Sequence, residues 1–238
     1  NCSDFPHSPQ RSIVAAGASH TFTASIKDDD GVVLDATAST VYTSSNSSDT
    51  ITGNVLTATA AGVRTLTATH IGLVATATVT VIPSVTTAIN VSPQTATASA
   101  DATTTFTVTA EDAYGNQTDV TALAAYTSSN SSDTFADNVL TAPTAGTRTI
   151  TATHGGRTDT AKLTVTAGAL RSIGLALSGT QVNQGDSITA TVEGFDAAGN
   201  SLGDLTGAVV LSSDQATDII NGNTATLPHP RAPATPPP

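Results

Sequence analysis

The chain is 238 residues long with 11% charged side chains, and 19 Asp plus Glu against 8 Lys plus Arg leave a formal net charge of −11. Neutralising phosphates takes clustered Lys and Arg; Lys27, Lys162 and a few scattered Arg do not supply it, which argues against a nucleic-acid partner. Aromatic residues make up 3% and Trp and Met are absent, so any core is thin and built of Val, Leu, Ile, Ala and Thr methyl groups. Cys2 stands alone, so no disulfide closes within the chain, and no apolar run approaches the ~20 residues that cross a bilayer. The chain opens at Asn1 with no Met and no leader, which reads as an interior piece or a processed product.

The first predicted unit covers residues 1–84. Its Asp28-Asp29-Asp30-Gly31 is the densest acidic cluster. Calcium takes six to eight oxygen ligands, so Asp28, Asp29 and Asp30 are the calcium candidate. They lack the spaced layout of an EF-hand loop, and a solvated hairpin turn is the plainer reading. From Tyr42 to Val81 runs the stretch that defines the chain, because it returns without a gap from Tyr126 to Val165, 84 residues later. A fixed period of that size marks a tandem array. It extends upstream: Ser8-Pro9-Gln10 matches Ser92-Pro93-Gln94, Phe22 matches Phe106, and Gly31 matches Gly115.

The second unit covers residues 85–168. Its local period is two, as in Thr105 to Thr109 and Arg148 to Thr153, which is the strand signal; nothing sustains a 3.6 period. Thr suits such strands, since its branched β-carbon favours extended backbone while its hydroxyl tolerates water. Strands are predicted near 87–92, 94–98, 103–111, 118–127, 138–142, 147–153 and 158–166. Turn cues fall between them, among them Gly155-Gly156. Short strands at this spacing predict an all-β fold of tandem immunoglobulin-like sandwiches. Phe22, Tyr42, Leu66, Phe106, Tyr126 and Ile150 are the predicted core. An odd strand count places the chain ends at opposite poles, which predicts a monomeric rod.

The third unit, residues 169–226, is incomplete. Ile173 answers Ile89, Asp196-Ala197-x-Gly199-Asn200 answers Asp112-Ala113-x-Gly115-Asn116, and Ser212-Ser213 answers Ser128-Ser129. Where the second unit has Gly146 to Thr153, the same frame reads Pro230 to Pro237. Proline removes ladder donors, so the last two strands are not expected, and residues 227–238 are predicted to be a Pro-rich disordered tail.

Little chemistry is written in the side chains. His70 and His154 recur one period apart, each without a second ligand at zinc spacing. Arg64 and Arg148 share strand parity with Leu66 and Ile150, which aims them at the inner face near the sandwich rim, with the head expected either to snorkel outward or to meet an acid such as Asp49 or Asp133. No Gly-x-Ser-x-Gly elbow, Ser/His/Asp set or phosphate loop is present. No catalytic, cofactor-binding or metal site is therefore assigned, and the chain is not read as an enzyme.

At these residues the chain resembles the group 2 bacterial immunoglobulin-like (Big) family. The shared pattern is an aromatic before Thr-Ser-Ser-Asn, an asparagine before Val-x-Thr-Ala, then Ala-Gly-x-x-Thr-(Leu/Ile)-Thr-Ala and a closing Thr/Val strand. Tyr42 and Tyr126 stand where that family commonly has Trp, with Val210 near the equivalent place in the third unit. The Asp-Ala-x-Gly-Asn turns look more like invasin-type modules. The resemblance implies an extracellular, surface-attached or secreted bacterial protein. The expected role is a structural stalk or adhesion segment contacting an external surface, host, matrix or glycan ligand. The alternative is an accessory, carbohydrate-binding module of a larger secreted enzyme, for which Tyr114 at a turn tip is the one stacking candidate.

Overall fold

The computed structural model describes residues 2–4 and 11–228. Among them, regular structure consists of strands and two single 3-10 turns, Thr37–Ser39 and Thr206–Ala208. The fold is all-β, a tandem set of immunoglobulin-like sandwiches.

In the first repeat, one sheet orders the strands Arg11–Ala15, Leu73–Ile82, Gly62–His70 and Val41–Ser44. Arg11–Ala15 runs parallel to its neighbour and the other pairings are antiparallel. The facing layer is made of Ser25–Asp28 with Val33–Asp35, and of Ser19–Thr21, Val55–Thr57 and Thr50–Thr52. Leu66, Val79 and Val81 from the first sheet pack with Phe22, Ile51 and Leu56 from the second. A smaller cluster joins Tyr42, Leu73 and Ala75 to Ala24, Ile26 and Ala36. Alternation puts Leu66, Val79 and Val81 inward while Val63, Thr65 and Thr69 face water.

The second repeat carries the same strands 84 residues on. Thr95–Ser99, Arg157–Thr166, Gly146–His154 and Ala125–Ser128 form its four-stranded sheet. Thr95 faces Lys162 in the register that Arg11 keeps with Thr78. Phe106, Leu66 and Ile150 are fully buried, whereas Phe22, Tyr42 and Tyr126 are half-buried. Phe22 stacks on Tyr42 at 6.3 Å, and Tyr126 on Phe135 at 5.6 Å.

Three expectations need correction. The strand expected over 103–111 is two, Thr103–Thr105 and Thr107–Asp112, in different sheets. At the break, Phe106 N–H donates to the Asn138 carbonyl (2.9 Å) while Asn138 Nδ2 donates back to the Phe106 carbonyl (2.6 Å). The same exchange joins Phe22 to Asn54 and Ala190 to Asn223. A side-chain amide thus satisfies the backbone where the strand changes sheets. The strand expected over 118–127 also divides, because Thr121 Oγ1 accepts the Val108 N–H (2.9 Å) and the chain turns. A short strand, Thr134–Ala136, was not foreseen at all.

The third correction concerns the frame of the third repeat. Gln117, Thr118 and Asp119 face Glu111, Ala110 and Thr109 in unbroken register. Their counterparts skip Leu202: Ser201, Gly203 and Asp204 face Phe195, Gly194 and Glu193. This is a β-bulge, with Gly203 at φ 89°. Beyond it every equivalence moves one residue later, so Ser128 corresponds to Ser213, as the matching bonds Ser128–Asp133 and Ser213–Asp218 show. Tyr126 corresponds to Leu211, not to the exposed Val210. The proline-rich residues from 229 onward lie outside the described residues.

The backbone gathers into two compact units, residues 1–92, 107–125 and 151–160 in one, and 93–106, 126–150 and 161–238 in the other. Each unit contains one place where consecutive repeats meet.

Candidate junction site

The Asp-x-x-Gly-Asn turns lie at those meeting places, one in each unit. Asp112 Oδ1 accepts the N–H groups of Tyr114 (2.8 Å) and Asn116 (2.9 Å), which closes the turn, with Gly115 at φ 81°. Asp112 Oδ2 accepts the N–H of Ser84, in the connection from the first repeat (2.8 Å), and Asn116 Nδ2 (2.8 Å). Asn116 then reaches the turn before strand Gly62–His70: Nδ2 donates to the Thr59 carbonyl (2.8 Å) and Oδ1 accepts the Ala61 N–H (2.6 Å). One amide therefore mimics a strand, pairing with two groups of the preceding repeat.

That receiving turn is itself held from inside. Arg64 is 1% exposed and donates to the Gly62 carbonyl (2.8 Å), the Ala60 carbonyl and Asp49 Oδ2 (2.6 Å). Of the two outcomes expected for the inward arginine, the head meets the acid and does not snorkel outward. Its job is to fix the carbonyls on either side of the residue that Asn116 engages, a role invisible in the sequence. Ser44 Oγ adds a bond to the same carboxylate oxygen (2.7 Å), while Asp49 Oδ1 is buried with no hydrogen-bond partner among the described residues.

The second unit repeats the arrangement. Asp196 Oδ1 accepts Ala198 and Asn200 N–H, and Oδ2 accepts Gly168 N–H (2.7 Å) and Asn200 Nδ2 (2.7 Å). Asn200 Nδ2 donates to the Pro143 carbonyl (2.8 Å) and Oδ1 accepts Ala145 N–H (2.7 Å). Arg148 Nη2 holds the Thr144 carbonyl (2.6 Å) and Nε lies 2.8 Å from Asp133 Oδ2. The Nε–H is poorly aligned with that oxygen, so this contact is an ion pair without a directed hydrogen bond. Asp101 supplements this junction by accepting Ala169 N–H (2.6 Å).

These bonds set the acidity of the two turns. Burial pushes the Asp112 carboxyl up, but donation from Asn116 and from the Ser84 and Tyr114 amides outweighs it and brings the value from 3.8 to about 2. Asn200 and the Gly168 amide, opposed by burial, bring Asp196 to about 2 as well.

The other candidates resolve into local roles. In the first repeat Val32 stands where Asn116 does, so Asp28 makes the turn alone, its Oδ1 accepting Asp30 and Val32 N–H (3.1 and 2.8 Å). Among the described residues no three His, Cys, Asp or Glu gather as a metal-holding group. His70 Nδ1 lies 3.1 Å from the Ser39 carbonyl and His154 Nδ1 3.5 Å from that of Leu123, tying one turn to another in each repeat. Tyr114 is half exposed, yet its hydroxyl end lies over the backbone of Gly17 so closely that a β-carbon there would meet it at 1.9 Å. The ring is thereby a junction contact as well as a turn tip. The structure also brings Ser12 Oγ within 2.9 Å of His20 Nε2, a pair eight residues apart that the sequence did not flag. Among the described residues no carboxylate bonds the other nitrogen of that ring, so no third group orients it as a base. No described helix is long and apolar enough to cross a membrane.

No known family profile matches the chain, and no curated protein does. Solved structures do. Invasin, a bacterial integrin-binding protein, is similar at 17% identity over 90% of this chain and 52% of its own, with a TM-score of 0.42. A protocadherin, PcdhgB3 EC1–4, is similar at 12% identity over 93% of this chain and 66% of its own, TM-score 0.41. Domains 4–9 of the surface layer protein SbsC are similar at 23% identity over 86% of this chain, TM-score 0.28. The chain spans 37% of that surface-layer chain.

Proposed function

We propose that this chain is a structural segment of an exported or surface-attached bacterial protein, a run of group 2 type immunoglobulin-like repeats whose junctions are locked by a carboxylate–amide clasp. It serves to space and orient what it carries, and to make weak repeated contacts with an external ligand. The observation that carries this reading is the clasp itself, built twice with the same partners. Asp112 and Asn116 bind Ser84, Thr59 and Ala61, as Asp196 and Asn200 bind Gly168, Pro143 and Ala145. Two directed bonds plus a backbone bond to the connecting residue restrict both hinge and twist. A joint that only tethered would need none of them.

The polar loops support the second part of the role. Asn46 Oδ1 accepts Ser48 N–H and Asn130 Oδ1 accepts Ser132 N–H, both at 3.0 Å, so the TSSNSSDT loops at 43–50 and 127–134 share one conformation. Identical loops that recur 84 residues apart in the sequence suit avidity. The test is a spin-label distance between Thr65→Cys and Thr118→Cys, with Cys2→Ser. A narrow distribution that widens in Asn116→Ala is expected; a broad one in the parent protein would refute a locked joint.

A further inference from the structure

Each repeat closes one hairpin with the same two-residue turn, Gly53-Asn54, Asp137-Asn138 or Gly222-Asn223, whose first residue has φ of 59°, 53° or 59°. The second turn residue does the same work in all three, its Nδ2 donating to the Phe22, Phe106 or Ala190 carbonyl. The residue before the turn differs: Thr52, Ala136 and Asn221. Asn221 is thereby the one asparagine in the sequence that glycine follows.

A backbone nitrogen can attack the carboxamide of the asparagine before it when three conditions hold. The carboxamide must be free to turn, the nitrogen must be unengaged, and no side chain may crowd the approach. The other described asparagines fail at least one. Asn116 and Asn200 are held in the clasp, Asn54, Asn138 and Asn223 by strand carbonyls, Asn130 by Thr144 Oγ1 (3.0 Å) and Asn183 by Asp186 (3.1 Å). Asn46 Oδ1 accepts both the N–H and the hydroxyl of Ser48. Asn90 is exposed, but the nitrogen that follows it, that of Val91, donates to Asp159 Oδ2 (2.8 Å), and the branched valine crowds it. Asp30-Gly31 is a related pair, yet its Gly31 N–H donates to the Asp28 carbonyl (3.0 Å). Asn221 meets all three conditions. It is exposed, and among the described residues neither its carboxamide nor the Gly222 N–H has a hydrogen-bond partner. A β-carbon built on Gly222 would meet nothing within 4 Å, so the space around the attacking nitrogen is open.

We propose that Asn221-Gly222 is a site of spontaneous covalent modification, at which the Gly222 backbone nitrogen displaces the Asn221 amide. A bond forms between that nitrogen and Asn221 Cγ, the Cγ–Nδ2 bond breaks, and Nδ2 leaves as ammonia with the proton that the Gly222 nitrogen gives up. Water then opens the cyclic imide at either carbonyl, yielding aspartate or isoaspartate and one added negative charge; nothing is oxidised or reduced. Isoaspartate carries the backbone through its own β-carbon. It therefore lengthens strand Ile219–Asn221 by one atom at the residue that faces Thr224. Thr224, Ala225 and Thr226 in turn face Thr189, Ile188 and Ser187, so the defect reaches the main strand of the third repeat. The hairpin of this repeat loosens with age, one way and without an enzyme, while those that carry Thr52 and Ala136 keep their register. The site is independent of the clasp, whose residues it does not touch.

The full chain is aged in mildly alkaline buffer made with heavy-oxygen water, and each asparagine is followed by peptide mass mapping. Asn221 is expected to convert at least ~10-fold faster than any other asparagine, to take up the label and to give both products, whereas Gly222→Ala slows it by ~10-fold because a β-carbon crowds the nitrogen. Asn221→Gln, which would need a larger ring, is expected to stay unconverted. Aged chains are expected to exchange amide protons ~10-fold faster than fresh ones over residues 187–189 and 219–226. Asn221→Asp adds the charge without lengthening the backbone, and is expected to match the fresh parent. An intact Asn221 in a chain whose Asn90 or another asparagine has converted would overturn the site. Equal exchange in aged and fresh chains would overturn the loosening.

Discussion

Arg64 shows how much one buried side chain does here. Its guanidinium neutralises Asp49, closes off two carbonyls and thereby shapes the turn that Asn116 reads. Removing one partner of a buried pair leaves the other charge without compensation, so Arg64→Met is expected to cost ~3–5 kcal/mol in urea unfolding. Adding Asp49→Leu is expected to recover most of that, because burying an ion pair gains little over an apolar one. The acid turns predict a pH dependence. Asp112 and Asp196 ionise at about 2 when folded, below the ordinary 3.8. The unfolded chain thus binds protons first, and their contribution is complete above about pH 4 and lost as pH falls toward 2. Thermal unfolding across that window should show the loss, and Asp112→Asn with Asp196→Asn should flatten it. At the first-repeat turn Asp28 Oδ1 already accepts two amides, so calcium is expected to leave the melting temperature unchanged; a rise would assign a site to Asp28, Asp29 and Asp30.

Among elements, the turns carry more information than the strands. The period-two pattern made the strands legible, because hiding every second side chain leaves a direct trace in composition. The breaks at Phe106 and Val120 were not legible, since Asn138 and Thr121 replace ladder bonds with side-chain bonds from residues distant in sequence. The Asp-x-x-Gly-Asn turn was visible as a motif, but its target, a backbone turn 57 residues away, was not. Asn116→Ala removes two junction bonds and one bond to Asp112, for an expected loss of ~1–2 kcal/mol, read as the widened spin-label distribution described above. Gly17→Ala tests the same junction from the other side. Its φ of 80° disfavours a β-carbon, and the Tyr114 hydroxyl occupies the space, so the ring must leave and Tyr114 fluorescence is expected to shift toward that of a solvated phenol.

At the scale of the whole chain, the three repeats are expected to differ in resistance to unfolding. Ile173, Leu175, Leu177 and Ile219 are all more than half exposed in the third repeat, and less buried apolar area means less opposition to conformational entropy. Calorimetry is expected to resolve an early transition from residues 172–226, and a single two-state transition would contradict this. The 84-residue period, the all-β class and the inward arginines followed from the sequence alone, because repetition and alternation are local patterns that need no knowledge of distant partners. The one-residue bulge at Leu202, the identity of Leu211 as the counterpart of Tyr126, and the clasp between successive repeats were decided only in three dimensions. Each depends on which backbone groups meet across long separations, and hydrogen-bond pairing between distant segments leaves no mark on the order of the residues that make it.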